Sequence, residues 1–95
     1  MEINLFESVG SFAENKDIAR GIRINSIIPA LDRNEEVILN FHKIESATQS
    51  FIHALISDVI RQKGVDILDR LLFKNCNENI RKIIEIVIEY MQVQS

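Results

Sequence analysis

Apolar residues recur along this chain in two rhythms, a period of two in short runs and a period of three to four in longer ones, and the two alternate. Glu2 to Phe6 is predicted to be a short strand, with Ile3 and Leu5 on one face and Asn4 and Phe6 on the other. Ser8-Val9-Gly10-Ser11 reads as a turn. From roughly Glu14 to Ile28 an amphipathic helix is expected: Ile18, Ile22 and Ile27 or Ile28 share a side, while Lys16, Arg20 and Arg23 lie largely elsewhere. Gly21 weakens that helix, Pro29 is expected to end it, and Leu31-Asp32-Arg33-Asn34 supplies turn-forming residues.

Val37-Ile38-Leu39-Asn40-Phe41 is the clearest strand, because β-branched and aromatic residues crowd together and must alternate between faces. Val37, Leu39 and Phe41 share one face; Ile38, Asn40 and His42 share the other, which is only partly apolar and is the place for a homodimer contact. Between Thr48 and Lys63, Phe51 or Ile52, Leu55, Ile56, Val59 and Ile60 recur at helical spacing, and Gly64 fits the stop. Leu71-Leu72-Phe73 is a third strand, with Val65 to Leu68 either joining it or forming a loop. Asn77 or Asn79 can cap a last helix striped by Ile80, Ile83, Ile84, Val87, Ile88 and Met91, and widened by Ile86 and Tyr90 toward a second surface.

Strand and helix thus alternate three times, with connections too short for a linker. The expected fold is α/β: one small βαβαβα domain over residues 1–95, with a mainly parallel three- to four-stranded sheet and helices mostly on one face. Functional groups in such sheets gather at the carboxyl ends of the strands, here Phe6 to Ser11, His42 to Ser50 and Asn75 to Asn79.

Size and charge narrow what that edge can do. A chain of 95 residues has room for one core and a surface epitope but little for a cleft holding a dinucleotide, so binding is favoured over catalysis. The net charge of −3 is scattered, with no Lys and Arg run to follow a phosphate backbone, so no nucleic-acid partner is expected. With neither a leader pattern at Met1 to Leu5 nor a bilayer-length apolar stretch, no membrane partner is expected and the chain is placed in the cytoplasm. Cys76 is the only cysteine and reads as a small buried hydrophobe; His42 and His53 have no third ligand at a usable spacing. Three glycines make no phosphate-cradling loop, and Glu35, Glu36, Glu85 and Glu89 read as solvated faces. Neither metal, cofactor nor catalytic residue is expected.

The segment His42-Lys43-Ile44-Glu45-Ser46-Ala47-Thr48-Gln49-Ser50-Phe51 leaves a central strand and enters a helix, which sets hydroxyls beside free backbone amides. In the simplest reading Ser46 or Thr48 caps the helix and Ser50 sits in its first turn. The same hydroxyls suit a switch: a phosphate on Thr48 or Ser50 would bring about −1.5 to −2 charges to the positive end of the helix dipole.

At this loop the chain resembles the STAS-like family of domains, through Val37-Ile38-Leu39-Asn40-Phe41, then Ile44, then Gln49-Ser50-Phe51. The likeness extends to Gly10-Ser11-Phe12-Ala13 with Ala19-Arg20, and to Leu72-Phe73-Lys74-Asn75 with Asn79-Ile80. Where the family usually has Asp this chain has Asn40, and His53-Ala54 stands in place of an acidic pair. The resemblance implies a relative of the anti-sigma-factor antagonists, which bind ATPase-type serine kinases and are phosphorylated at the same loop; Gln49 falls close to the position of their phosphorylated serine. It implies a non-enzymatic regulatory module that docks a histidine-kinase-like ATPase through Glu45, Ser46, Thr48, Gln49, Ser50 and Phe51, with Ser50 and Thr48 as phosphorylation candidates. The competing expectation is a structural subunit that assembles through the sheet face and the last helix.

Overall fold

A computed structural model describes residues 1–94; Ser95, the last residue of the expected domain, lies outside the described residues. Three parallel strands, β1 (Glu2–Asn4), β3 (Val37–Asn40) and β5 (Leu71–Lys74), form a sheet in the order β1-β3-β5. Ile3 pairs with Leu39 and Leu39 with Phe73, so these three side chains line one face. On that face Val37, Leu39 and Leu71 are fully buried against the helices. The other face carries Glu2, Asn4, Ile38, Asn40, Leu72 and Lys74, and it is largely open to solvent. The α/β class, the parallel sheet and the one-sided helical cover are therefore as expected from the alternation of rhythms.

A second, two-stranded parallel pair joins β2 (Phe12–Ala13) to β4 (Ser46–Ala47). A two-residue strand carries no readable period; Phe12–Ala13 falls between the expected turn and the expected helix, and Ser46–Ala47 in the expected loop. The first strand is also shorter than expected. Leu5 keeps its amide on the Asn40 carbonyl at 3.1 Å but turns to helical dihedrals, and α1 (Phe6–Val9) follows. Strand character up to Phe6 and a turn beginning at Ser8 are corrected accordingly, while Leu5 is buried in the core.

The helix expected to stop at Pro29 runs on. Asn15 caps α2 (Lys16–Ile22), accepting from the amides of Asp17 and Ile18 at 2.9 and 3.2 Å. One wide turn, Arg23–Ile27, follows, in which the Ile28 amide reaches back five residues to the Arg23 carbonyl. Pro29 then sits in the first turn of α3 (Ile28–Asp32), where its missing N–H is tolerated, so the chain stays helical as far as Asp32. Leu31, the first of the expected turn residues, is instead helical and, with Ala30, buried in the core.

Helix α4 (Gln49–Lys63) matches its expected span, ending at Gly64, whose φ of 84° favours glycine and whose amide bonds the Ile60 carbonyl at 2.8 Å. Residues Val65–Asp69 form a tight helical turn ahead of β5. Asn77, and not Asn79, caps α5 (Glu78–Gln94), accepting from the Ile80 amide at 2.9 Å. In the apolar stripe of α5, Ile80, Ile84, Val87 and Met91 are buried, Ile83 and Ile88 are half-buried, and Ile86 and Tyr90 remain exposed. Helix α4 lies between α2 and α5, and its buried Phe51, Ile52, Leu55, Ile56, Val59 and Ile60 fill the centre of the core. Among the described residues no helix is long and apolar enough to cross a membrane.

Candidate functional site

The loops that follow β1, β3 and β5 meet at one rim, as the carboxyl-end rule expects. The Ser11 carbonyl accepts from the amides of Glu45 and Ser46 at 2.8 and 3.3 Å, and the Thr48 amide reaches the Ala13 carbonyl at 2.9 Å. From the third loop, the Asn77 side chain donates to the Glu45 carbonyl at 2.8 Å. Lys43, at a left-handed φ of 70°, carries its ammonium 5.7 Å from the centre of the Phe6 ring. Backbone bonds from the first loop and a side-chain bond from the third thus hold the Glu45–Thr48 segment in one shape.

Beneath the rim, Asn40 ties the loops to the sheet. Its Oδ1 accepts from the His42 amide at 2.9 Å and from the Asn75 side chain at 3.0 Å, while its Nδ2 donates to Glu2 at 3.0 Å. That amide, and after it the Lys74 ammonium 3.5 Å away, hold the Glu2 carboxyl below its ordinary value. An aspartate at this place could accept the first two bonds but could not donate the third. Asn40 is one of two buried polar side chains among the described residues, and all three of its bonds are satisfied within the protein.

The expected site residues separate into three groups. Glu45, Ser46, Gln49 and Ser50 are exposed at the rim. Thr48 is half-buried and is the cap of α4, its hydroxyl accepting from the Phe51 amide at 3.1 Å. Phe51 is a correction: it is fully buried, anchoring the first turn of α4 in the core, and offers no surface to a partner. Ser50 is therefore the exposed hydroxyl of the helix start, and Thr48 the engaged one.

Outside the rim the remaining chemical candidates stand apart. His42 is exposed at the end of β3, whereas His53 sits on α4 with Nδ1 3.3 Å from the Ser57 hydroxyl and its ring tilted against Tyr90 at 6.3 Å between centroids. Burial pushes the Cys76 thiol up from its ordinary value, opposed in part by the Arg81 cation, so its setting disfavours the thiolate. Among the described residues no three His, Cys, Asp or Glu side chains are placed to hold a metal ion.

Sequence reasoning missed an open groove of about 680 Å³ between α2 and α4, which begins at Gln49 and Ser50 and is lined by Lys16, Arg20, Arg23, His53 and Asp58. Its signal was present as the spacing of Lys16, Arg20 and Arg23, which sets three cations along one side of a helix. Arg23 is nearly buried there, bonded to the Ala54 carbonyl at 2.9 Å and paired with Asp58 at 3.2 Å.

A parallel three-stranded sheet with helices on one face, presenting a hydroxyl-bearing loop that runs into a capped central helix, defines a small α/β domain with a loop-built surface site. The chain belongs to the family described as the STAS-like domain of unknown function, whose model matches residues 19–81, from within α2 to the first turns of α5. No curated protein and no solved structure matches the chain. The matched residues contain β3, the rim loop, Thr48, Ser50 and α4 in full.

Proposed function

We propose that this domain is a non-enzymatic regulatory module acting in the cytoplasm, which docks a protein partner of the histidine-kinase-like ATPase or serine-kinase class through Glu45, Ser46, Gln49 and Ser50. Phosphorylation of Ser50 is the switch in this reading, with Thr48 the secondary acceptor. The observation that carries it is the exposure of Ser50 in the first turn of a 15-residue helix whose cap is already supplied by Thr48. A phosphate there, of about −1.5 to −2 charges, lies at the favourable end of the helix dipole. It would add negative charge to the rim without unfolding the helix. Membership in the STAS-like family supports a regulatory role. The half-buried setting of Cys76, which disfavours its thiolate, and the separate settings of the two histidines support binding over catalysis.

The test uses the tagged domain in extract of its host, with the retained ATPase identified, purified and measured by calorimetry against three forms of the domain. Wild type and Ser50→Ala are expected to bind alike, and Ser50→Asp about tenfold or more weakly at an unchanged melting temperature, a loss of about 1.4 kcal/mol. Equal affinity for all three forms, or retention of no ATPase, ends this reading. The intact mass of the domain recovered from the host reports whether the phosphoryl group is carried.

A further inference from the structure

The groove between α2 and α4 has a charge opposite to that of the whole chain. The protein is net −3, yet Lys16, Arg20, Arg23 and His53 line this groove with Asp58 as its acid. Asp58 is already paired, with Arg23 across the groove and with Arg61 one turn along α4. Arg20 is 56% exposed in its side chain and has only a distant contact with Asp17 at 4.0 Å, and Lys16 is exposed. Two cations therefore face solvent beside a fixed third, at the foot of the helix whose first turn carries Ser50.

We propose that this groove receives an acidic, extended segment of the protein partner, with carboxylates meeting Lys16 and Arg20 in turn. This rests on the protein-docking reading above and names the chemistry of the contact. The spacing favours a peptide over a small anion. Lys16 and Arg20 are one helical turn apart, about 6 Å along the axis, and alternate side chains of an extended segment lie about 6.5 Å apart. A single phosphate would need donors converging on one point, whereas these cations stand in a row along an open channel. The first-turn amides of α4 at Gln49 and Ser50 lie at the head of the same channel and add favourable partial charge. A phosphate on Ser50 would place negative charge at the head of that channel and repel an incoming acidic segment, which gives the switch a physical route.

The test is a titration of the isotopically labelled domain, followed by amide chemical shifts, with a short alternating Glu-Ser peptide as probe. An alternating Lys-Ser peptide and inorganic phosphate are run in parallel. Saturable shifts at Lys16, Arg20, Ser50 and His53 are expected with the acidic peptide alone, weakening as salt rises. Lys16→Glu with Arg20→Glu should weaken binding about tenfold, from two exposed pairs each worth up to about 1 kcal/mol. Because both side chains are exposed, the doubly substituted domain should keep its melting temperature. No saturable shift, unchanged affinity in the doubly substituted domain, or phosphate that reproduces the same shifts and displaces the peptide would each overturn the proposal. If the probe fails while Ser50→Asp still weakens ATPase binding, the groove is removed and the rim reading stands.

Discussion

Asn40 shows how one residue can join a core to a rim. It lies on the largely open face of the sheet yet is 9% exposed, and its amide is oriented by Glu2 on one side and by His42 and Asn75 on the other. Asn40→Ala would strand the His42 amide and loosen the Asn75 turn, with an expected loss of about 1 kcal/mol in denaturant unfolding. Asn40→Asp separates the two halves of the role, keeping both acceptor bonds while setting a carboxylate against Glu2. In the wild type the Glu2 carboxyl is held low by Asn40 and then Lys74, so its contribution is present above its unfolded value and is lost as pH falls through the folded one. In Asn40→Asp the two carboxyls repel, one of them is raised, and the variant should recover toward wild-type stability as the solution is acidified. Melting curves of both proteins from neutral to acid pH check this; parallel curves would show that Asn40 and Glu2 are not coupled.

At the scale of elements, legibility followed the strength of the periodic signal. Val37 to Asn40 was plain because β-branched residues with a buried face leave little choice, and Thr48 to Lys63 because a cap, an apolar stripe and a terminal glycine agree. The helix before Pro29 was misread because a wide turn absorbs the proline, and the five-residue step from Ile22 to Ile27 is its one trace in the chain. The β2–β4 pair was invisible, since its stability comes from carbonyls of Ser11 and Ala13 that meet the rim only in the folded chain. The hydroxyl loop could be read, and its cap with it; the groove could not, because a search for core-facing stripes sets Lys16, Arg20 and Arg23 aside as solvated surface. Gly21, expected to weaken its helix, lies inside α2 with no compensating use: its φ is not left-handed, and an added Cβ would come no nearer than 4.0 Å to the side-chain nitrogen of Asn25. Gly21→Ala should therefore stabilise the domain by about 0.5–1 kcal/mol, read as a higher denaturation midpoint at unchanged slope. A lower midpoint would mean that the wide turn after Ile22 needs the freedom of glycine.

For the molecule as a whole, the two-layer build decides between docking and assembly. Helices on one face leave the other open, and that open face was the expected place for a homodimer. Its apolar content is Leu72, 37% exposed, and the half-buried Ile38, set among Glu2, Asn4 and Lys74. A symmetric dimer would bury Leu72 and Ile38 from each copy, but only their exposed fractions are gained, together roughly one whole aliphatic side chain worth about 1.5–3 kcal/mol, whereas association costs at least about 4 kcal/mol in lost freedom before any polar group is desolvated. The Glu2–Lys74 pair would have to be stripped of water as well. On α5 the exposed Ile86 and Tyr90 could supply a second contact, but Tyr90 already lies against His53 within the same chain. The domain should accordingly run as a monomer in light scattering at micromolar concentration. A dimer that Leu72→Lys dissolves would instead show the sheet face to be an interface and would favour the structural-subunit reading over the regulatory one. A monomer would leave the rim and its adjoining groove as the surface that the proposed regulatory reading needs open.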